Sequence, residues 1–349
     1  MTWHATLRGL LLAIAALLVV AGCAGDPDEL DDAADADADD AEADADADDD
    51  ADDDEPAEDV DDVDTDEDAI TLVANPWPGS YANVGVAEVL LAQELGHDVE
   101  VVEIDEQAQW SGLDAGDLDA VLEIWPSGHE DNMETYIEGA ETVVDLGELG
   151  VVGEIGWFTP GYVLDEHPEM ETWEGLEGRE DTFATAETEP AGQFLAADPS
   201  FVQFDEEIID NLGLDLEVVQ SGSEAAQLTE VESAIADEEP ILFYFYTPHW
   251  MHAEYDLEMV ELPEPTQECL DAPDDERDCG YPEDVLFKAA SAELEERAPD
   301  AFAFLDAFEM TNEAQDELTL RMEEDDLDYT EAAREWVEDN EDVWQDWLP

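Results

Sequence analysis

The residues best equipped for chemistry in this chain are aromatic. It carries ten tryptophans and eight tyrosines. Trp77, Trp125, Tyr244, Tyr246 and Trp250 fall at or just after short apolar runs with strand character. In open α/β sheets, ligands bind outside the carboxyl ends of the strands, so aromatics in these positions face a cleft. Aromatic faces are electron-rich. A cation that has no N–H to donate can be held by several of them, each contributing about 0.5–2 kcal/mol. This is the chemistry of quaternary-ammonium recognition. Simple packing is the alternative for any single Trp, and a group of them at strand ends beside Pro and Gly favours the cleft. A second feature is Gly79-Ser80-Tyr81, which precedes a helical pattern. The backbone N–H groups at Ser80 and Tyr81 are placed to receive an anion at a helix N-terminus.

The elements that must position these residues begin at Ala69. Ile70–Ala74 reads as a buried strand, Asn83–Leu95 as a helix ended by Gly96, and Val99–Ile104 as a second strand. A short helix follows over Ala108–Ala115, then a third strand over Ala120–Ile124. This βαβαβ order marks a mostly parallel sheet covered by helices. Further strands are expected at Val151–Ile155, Gly161–Leu164, Thr182–Ala184, Leu216–Gln220 and Ile241–Tyr246. Ser223 has the character of an N-cap for a helix through Ile235. From Val285 the pattern turns mainly helical, with helices expected over Ala289–Arg297, Pro299–Phe308, Asn312–Glu323 and Thr330–Trp347. Two α/β units and a helical return segment imply two lobes with a cleft between them.

The charge balance narrows the partners. The 349 residues include 103 acidic and 7 basic side chains, for a formal net charge of −96. Such a field repels nucleic acid and anionic membrane surfaces. The tract Asp26–Asp68 holds 27 of the acidic residues and no Lys or Arg, and reads as a solvated, self-repelling tether. The remaining chain is still strongly acidic but 44 % of all residues are hydrophobic, which fits a folded protein built for high salt, where counterions screen self-repulsion.

Residues 1–22 read as an export signal, with Arg8 before the apolar run Leu10–Val20. The run ends in Val20-Ala21-Gly22-Cys23, which resembles a bacterial lipobox, so Cys23 is the expected lipidation site. Attachment to the membrane would be by that anchor alone, on the extracytoplasmic face. With Cys23 lipidated, Cys269 and Cys279 remain as a pair in an export compartment where disulfides persist. Parity and short spacing point to one disulfide between them, two free thiols being the alternative.

Three stretches carry a resemblance to a known family. Asn75-Pro76-Trp77-Pro78-Gly79-Ser80, Leu122-Glu123-Ile124-Trp125-Pro126-Ser127-Gly128-His129 and Tyr244-Phe245-Tyr246-Thr247-Pro248-His249-Trp250 are similar to the glycine betaine/choline/carnitine substrate-binding proteins of ABC importers. Cys279-Gly280-Tyr281-Pro282 with Phe287-Lys288-Ala289-Ala290 adds to it, and the likeness runs from about Ile70 to the C-terminus. It implies a type II periplasmic-binding fold in the α/β class, with two α/β lobes and a ligand cleft between them. The expected lobes are about 69–163 with 263–349, and about 164–262. It also implies an aromatic box with Trp125 on one wall and Tyr246 on another, and Trp250 lining or supporting it. His129, four residues after Trp125, is the first candidate to meet a ligand carboxylate and His249 the second. The stretch Thr185–Gly192, where some relatives supply a third Trp, has no aromatic here. Trp77 or Trp157 is then the expected third wall.

The implied function is capture of a quaternary-ammonium solute such as glycine betaine for an ABC permease, in osmoadaptation. Choline or carnitine is the ligand alternative, and a lipid-anchored sensor with the same cleft the functional one. No Gly-x-Ser-x-Gly, His-Glu-x-x-His or phosphate-binding glycine loop is present, so an enzyme is not expected. No cofactor and no metal are expected, because the six histidines form no i, i+4 pair. A monomer is the expected oligomeric state.

Overall fold

The computed structural model describes residues 69–273, 276–324 and 327–349. The expected signal segment, Cys23 and the acidic tract through Asp68 lie outside the described residues. Nine strands form one sheet: β1 (Ile70–Ala74), β2 (Val99–Glu103), β3 (Ala120–Ile124), β4 (Val143–Pro160), β5 (Gly192–Ala196), β6 (Leu216–Gln220), β7 (Phe243–Thr247), β8 (Leu257–Val260) and β9 (Glu283–Ser291). Their order is β2-β1-β3-β9-β4-β7-β5-β6, with β8 paired to β4.

Two parallel triplets flank an antiparallel pair. β1 pairs in parallel with β2 and β3, and β5 with β6 and β7. Between them run β4 and β9. The first part of β4, Val143 to Glu154, pairs with β9, and its last part, Glu154 to Pro160, pairs with β7 and β8. One 18-residue strand thus serves both halves of the sheet. The fold is α/β with two lobes, each built on one parallel triplet.

Parallel strands covered on both faces read as near-continuous apolar runs, and every residue of β1, β3 and β5 is buried, the polar Thr71, Glu123 and Gln193 included. The first helix, Pro78–Leu90, begins earlier than the sequence pattern implies. Trp77 is extended and Pro78 occupies the first turn, where its missing N–H costs nothing. The helix continues through Leu91–Leu95 and ends at Gly96, whose φ of 79° favours glycine. Gly85 lies against Tyr329 and Ala333 of the helix Tyr329–Asp339, an approach that a Cβ would obstruct. Ser223 caps the helix Glu224–Asp237 by accepting from the Ala226 N–H at 3.2 Å.

Several segments differ from expectation, and the helix expected over Thr330–Trp347 breaks at Asn340. Gly161–Leu164 is not a strand but the start of a helix, Gly161–Glu166, which opens directly after Pro160 closes β4. Thr182–Ala184 falls at a 3₁₀ turn, Glu180–Phe183, and the parallel strand comes later as β5. The stretch from Val285 is strand, not helix, up to Ser291. Its Phe-Lys-Ala-Ala run suits a helix locally, but β3 and β4 supply partners on both sides and tertiary pairing overrides propensity. Lys288 within β9 is buried. Its ammonium donates to the carbonyls of Leu305, Asp306 and Phe308 around the end of the helix Pro299–Ala307, and burial lowers its pKa to about 8. Cys269 and Cys279 are joined as a disulfide.

Candidate functional site

The loops after β1, β2 and β3 and the side chains of β7 meet at one cavity. Trp77 follows β1, Glu106 follows β2, and Trp125, Ser127 and Gly128 follow β3. From the other triplet come Tyr244 and Tyr246 on β7, and Phe201 and Val202 from the loop after β5; Ile155 of β4 completes the lining. Tyr244 and Tyr246 share a face because strand side chains alternate with period two.

Each ring is held. Trp77 Nε1–H and Trp125 Nε1–H both donate to Glu123 Oε1, at 2.7 and 3.1 Å. Asn83 Nδ2, on the helix Pro78–Leu90, donates to Glu123 Oε2 at 2.6 Å and to Gln315 at 3.1 Å. Glu123 is fully buried. Burial pushes its pKa up to about 7, although the two indoles and Asn83 favour the carboxylate. Tyr246 Oη donates to Glu224 Oε1 at 2.9 Å, and burial followed by the Glu224 charge raises its phenol well above the usual value. Trp77 meets Phe201 edge-on at 5.3 Å between centroids, and Trp125 meets Tyr246 edge-on at 5.6 Å. The contacts tie one parallel half to the other. Glu106 adds a further tie, with Oε1 accepting from Val202 N–H at 2.5 Å.

Of the residues expected at the site, Trp77, Trp125 and Tyr246 come together on the cavity wall. His129 is buried behind it. Its Nδ1 accepts from Trp110 Nε1–H at 3.1 Å, which leaves the proton on Nε2, 3.0 Å from Glu106 Oε2. His249 is arranged the same way: Nδ1 accepts from Met251 N–H at 3.2 Å, and Nε2 lies 3.0 Å from Glu224 Oε1. Both histidines orient a glutamate that touches the cavity or its tyrosine. Trp250 packs among Phe245 and Met251 beneath β7. Trp157 is wholly buried, donating to Asp205 Oδ1 at 2.7 Å and packing on Phe194. The hydroxyl of Ser80 accepts from Asn75 N–H at 2.9 Å, and Tyr81 hydrogen-bonds Glu103. Neither Ser80 nor Tyr81 lines the cavity.

Glu106, Phe201 and Val202 were not assigned from sequence. Phe201 lies in a loop with no periodicity, and Glu106 is one acid among 103. Tyr244 carried a usable signal, two residues from Tyr246 on one strand. Among the described residues no group of three or more His, Cys, Asp or Glu is placed to hold a metal ion, and no helix is long and apolar enough to cross a membrane.

Residues 68–339 match the family described as the substrate-binding domain of ABC-type glycine betaine transport systems. The chain belongs to this family. A trimethylamine N-oxide-binding protein of Pelagibacter ubique is 23 % identical over 261 residues, covering 72 % of this chain and 82 % of that protein. Two solved structures share the fold of this family member. The glycine betaine/L-proline-binding protein of Borrelia burgdorferi aligns with a TM-score of 0.66 at 21 % identity, covering 80 % of this chain and 97 % of that one. An ABC-transporter choline-binding protein in complex with choline aligns with a TM-score of 0.65 at 18 % identity, covering 80 % and 91 %.

Proposed function

We propose that this protein captures a solute bearing a trimethylated nitrogen and presents it to an ABC permease. The observation that carries this reading is the composition of the cavity. Five aromatic side chains, Trp77, Trp125, Phe201, Tyr244 and Tyr246, surround one space together with the carboxylate of Glu106, and no Lys or Arg lines it. The rings offer π faces and the acid offers charge, which is what a cation without N–H donors needs. Because the rings come from both parallel halves, a bound cation would be shared between them, and closure around it would exclude water.

Glycine betaine and choline both carry the required headgroup, as do carnitine and the N-oxide bound by the Pelagibacter relative. Transfer of such a solute serves osmoadaptation, a role in keeping with the acidic composition. The protein acts without a reaction of its own, as a monomer held to the outer face of the membrane through Cys23. Residues of about 69–163 with 263–349 form one lobe and about 164–262 the other. Calorimetric titration of the full chain with trimethylated solutes in molar KCl tests the binding claim. Absence of binding by a folded protein would refute it. Metabolic labelling with palmitate tests the anchor: label should enter the wild-type chain and be lost in Cys23→Ala.

A further inference from the structure

Most hydrogen-bond donors around the cavity are already committed to the protein, the Tyr244 hydroxyl being the exception. The N–H groups of Ser127, Gly128, Phe201 and Val202 are all spent on protein acceptors: Asp284 Oδ1, Trp125 O, Asp198 O and Glu106 Oε1. The Ser127 hydroxyl donates to Asp284 Oδ2 at 2.7 Å. Both indoles donate to Glu123 and the Tyr246 hydroxyl to Glu224. His129 and His249, the imidazoles nearest this region in sequence motif, direct their Nε2 atoms at glutamates.

Beside these committed donors stands a carboxylate with capacity to spare. Glu106 is 6 % exposed and lines the cavity. One bond reaches each of its oxygens, from Val202 and from His129. A carboxylate oxygen has two lone-pair sites, so Glu106 retains capacity to accept from a ligand. A ligand carboxylate would instead meet a like charge in a site with no lining cation, where low polarity strengthens the repulsion.

We propose that Glu106 makes this site selective for a net cation whose tail donates a hydrogen bond, a choline-type amino alcohol, over a zwitterion that ends in a carboxylate. The proposal rests on the trimethylammonium reading above. Glu106 is in this view a specificity-determining residue: its charge complements the headgroup and its free lone pairs receive the tail hydroxyl. His129 positions it from behind and does not touch the ligand.

The test is calorimetric titration of the full chain at fixed ionic strength with choline, glycine betaine and tetramethylammonium, the last a headgroup without a tail. Choline should bind at least tenfold more tightly than glycine betaine. Glu106→Gln should lower the ratio of choline to glycine betaine affinity at least tenfold, whatever it does to the two affinities together. Glycine betaine binding as tightly as choline or tighter, with tetramethylammonium also bound, would overturn the selectivity and leave the aromatic site standing. An unchanged ratio in Glu106→Gln would overturn the role of that residue. Failure of all three ligands with a folded protein would remove the headgroup reading and this proposal with it. The wild-type ranking decides the selectivity even if the variant does not fold.

Discussion

Trp77 and Trp125 are tied to each other through a single atom, because both indole N–H groups donate to Oε1 of Glu123. The two rings come from loops after different strands, and this shared acceptor fixes their relative orientation. Glu123→Ala leaves two buried indole donors and the Asn83 amide without a partner, at about 1–3 kcal/mol for each unsatisfied group. The expected outcome is an affinity for trimethylated solutes weakened by tenfold or more. Glu123→Gln keeps an oxygen for the indoles but faces Asn83 with a donor, and should fall between Ala and wild type. Calorimetry with the three proteins checks the order.

The same carboxyl makes stability depend on pH. Burial pushes Glu123 and Asp205 up to about 7 from ordinary values of 4.5 and 3.8. Between these limits the folded chain binds protons that the unfolded chain has released. Stability from these groups therefore falls as pH rises through the window and levels off above about pH 7, with a slope of about 1.4 kcal/mol per unit for each group in transition. Repulsion among surface carboxylates slopes the same way, so the informative quantity is a difference between proteins. The fall in Tm between about pH 5 and 7 should be shallower in Asp205→Asn and in Glu123→Gln than in wild type. Parallel profiles would contradict the assignment.

Much of this arrangement was legible before folding. The βαβαβ pattern from Ile70 to Ile124 places Trp77 and Trp125 beyond strand ends, and both line the cavity. Period-two spacing puts Tyr244 and Tyr246 on one face. What the sequence could not show is pairing at a distance. β9 looks helical alone and becomes a strand because β3 and β4 enclose it. The histidines looked suited to a ligand carboxylate, yet each has an acid within hydrogen-bond reach inside the protein, Glu106 or Glu224. In a chain with 103 acidic residues, no local signal distinguishes those two from the solvated majority.

Gly153 offers a test that changes the identity of no lining residue. A Cβ at this position of β4 would overlap the six-membered ring of Trp125. Gly153→Ala should displace that ring and weaken ligand binding at least tenfold. Retained far-ultraviolet circular dichroism with altered near-ultraviolet bands would locate the change at the aromatic site, and unaltered affinity would show that the ring has room to move.

The disulfide closes a short loop, ten residues from Cys269 to Cys279. Opening it frees that segment mainly in the unfolded chain, and for a loop of this length the cost is about 2–3 kcal/mol. Arg277 within the loop lies over the Phe204 ring at 3.9 Å, and Asn211 donates to the Arg277 carbonyl at 2.8 Å. Replacing both cysteines by alanine should lower Tm by several degrees, read by calorimetric unfolding in molar salt.

Salt should act on the fold and spare the site. Raising ionic strength from about 0.1 to 1 M shortens the screening length from about 10 to 3 Å, which relieves repulsion among exposed acids. Tm should rise over this range, while affinity for a trimethylated solute changes by less than tenfold because the ring contacts are buried.

The most direct measurement is calorimetric titration of the full chain and of Trp125→Ala with choline and glycine betaine in molar KCl. If the aromatic cavity holds a trimethylated nitrogen, at least one of the two solutes binds the wild-type protein with one-to-one stoichiometry, and Trp125→Ala weakens it tenfold or more. Silence from both solutes with a folded wild-type protein, or binding that survives undiminished in Trp125→Ala, would contradict that claim.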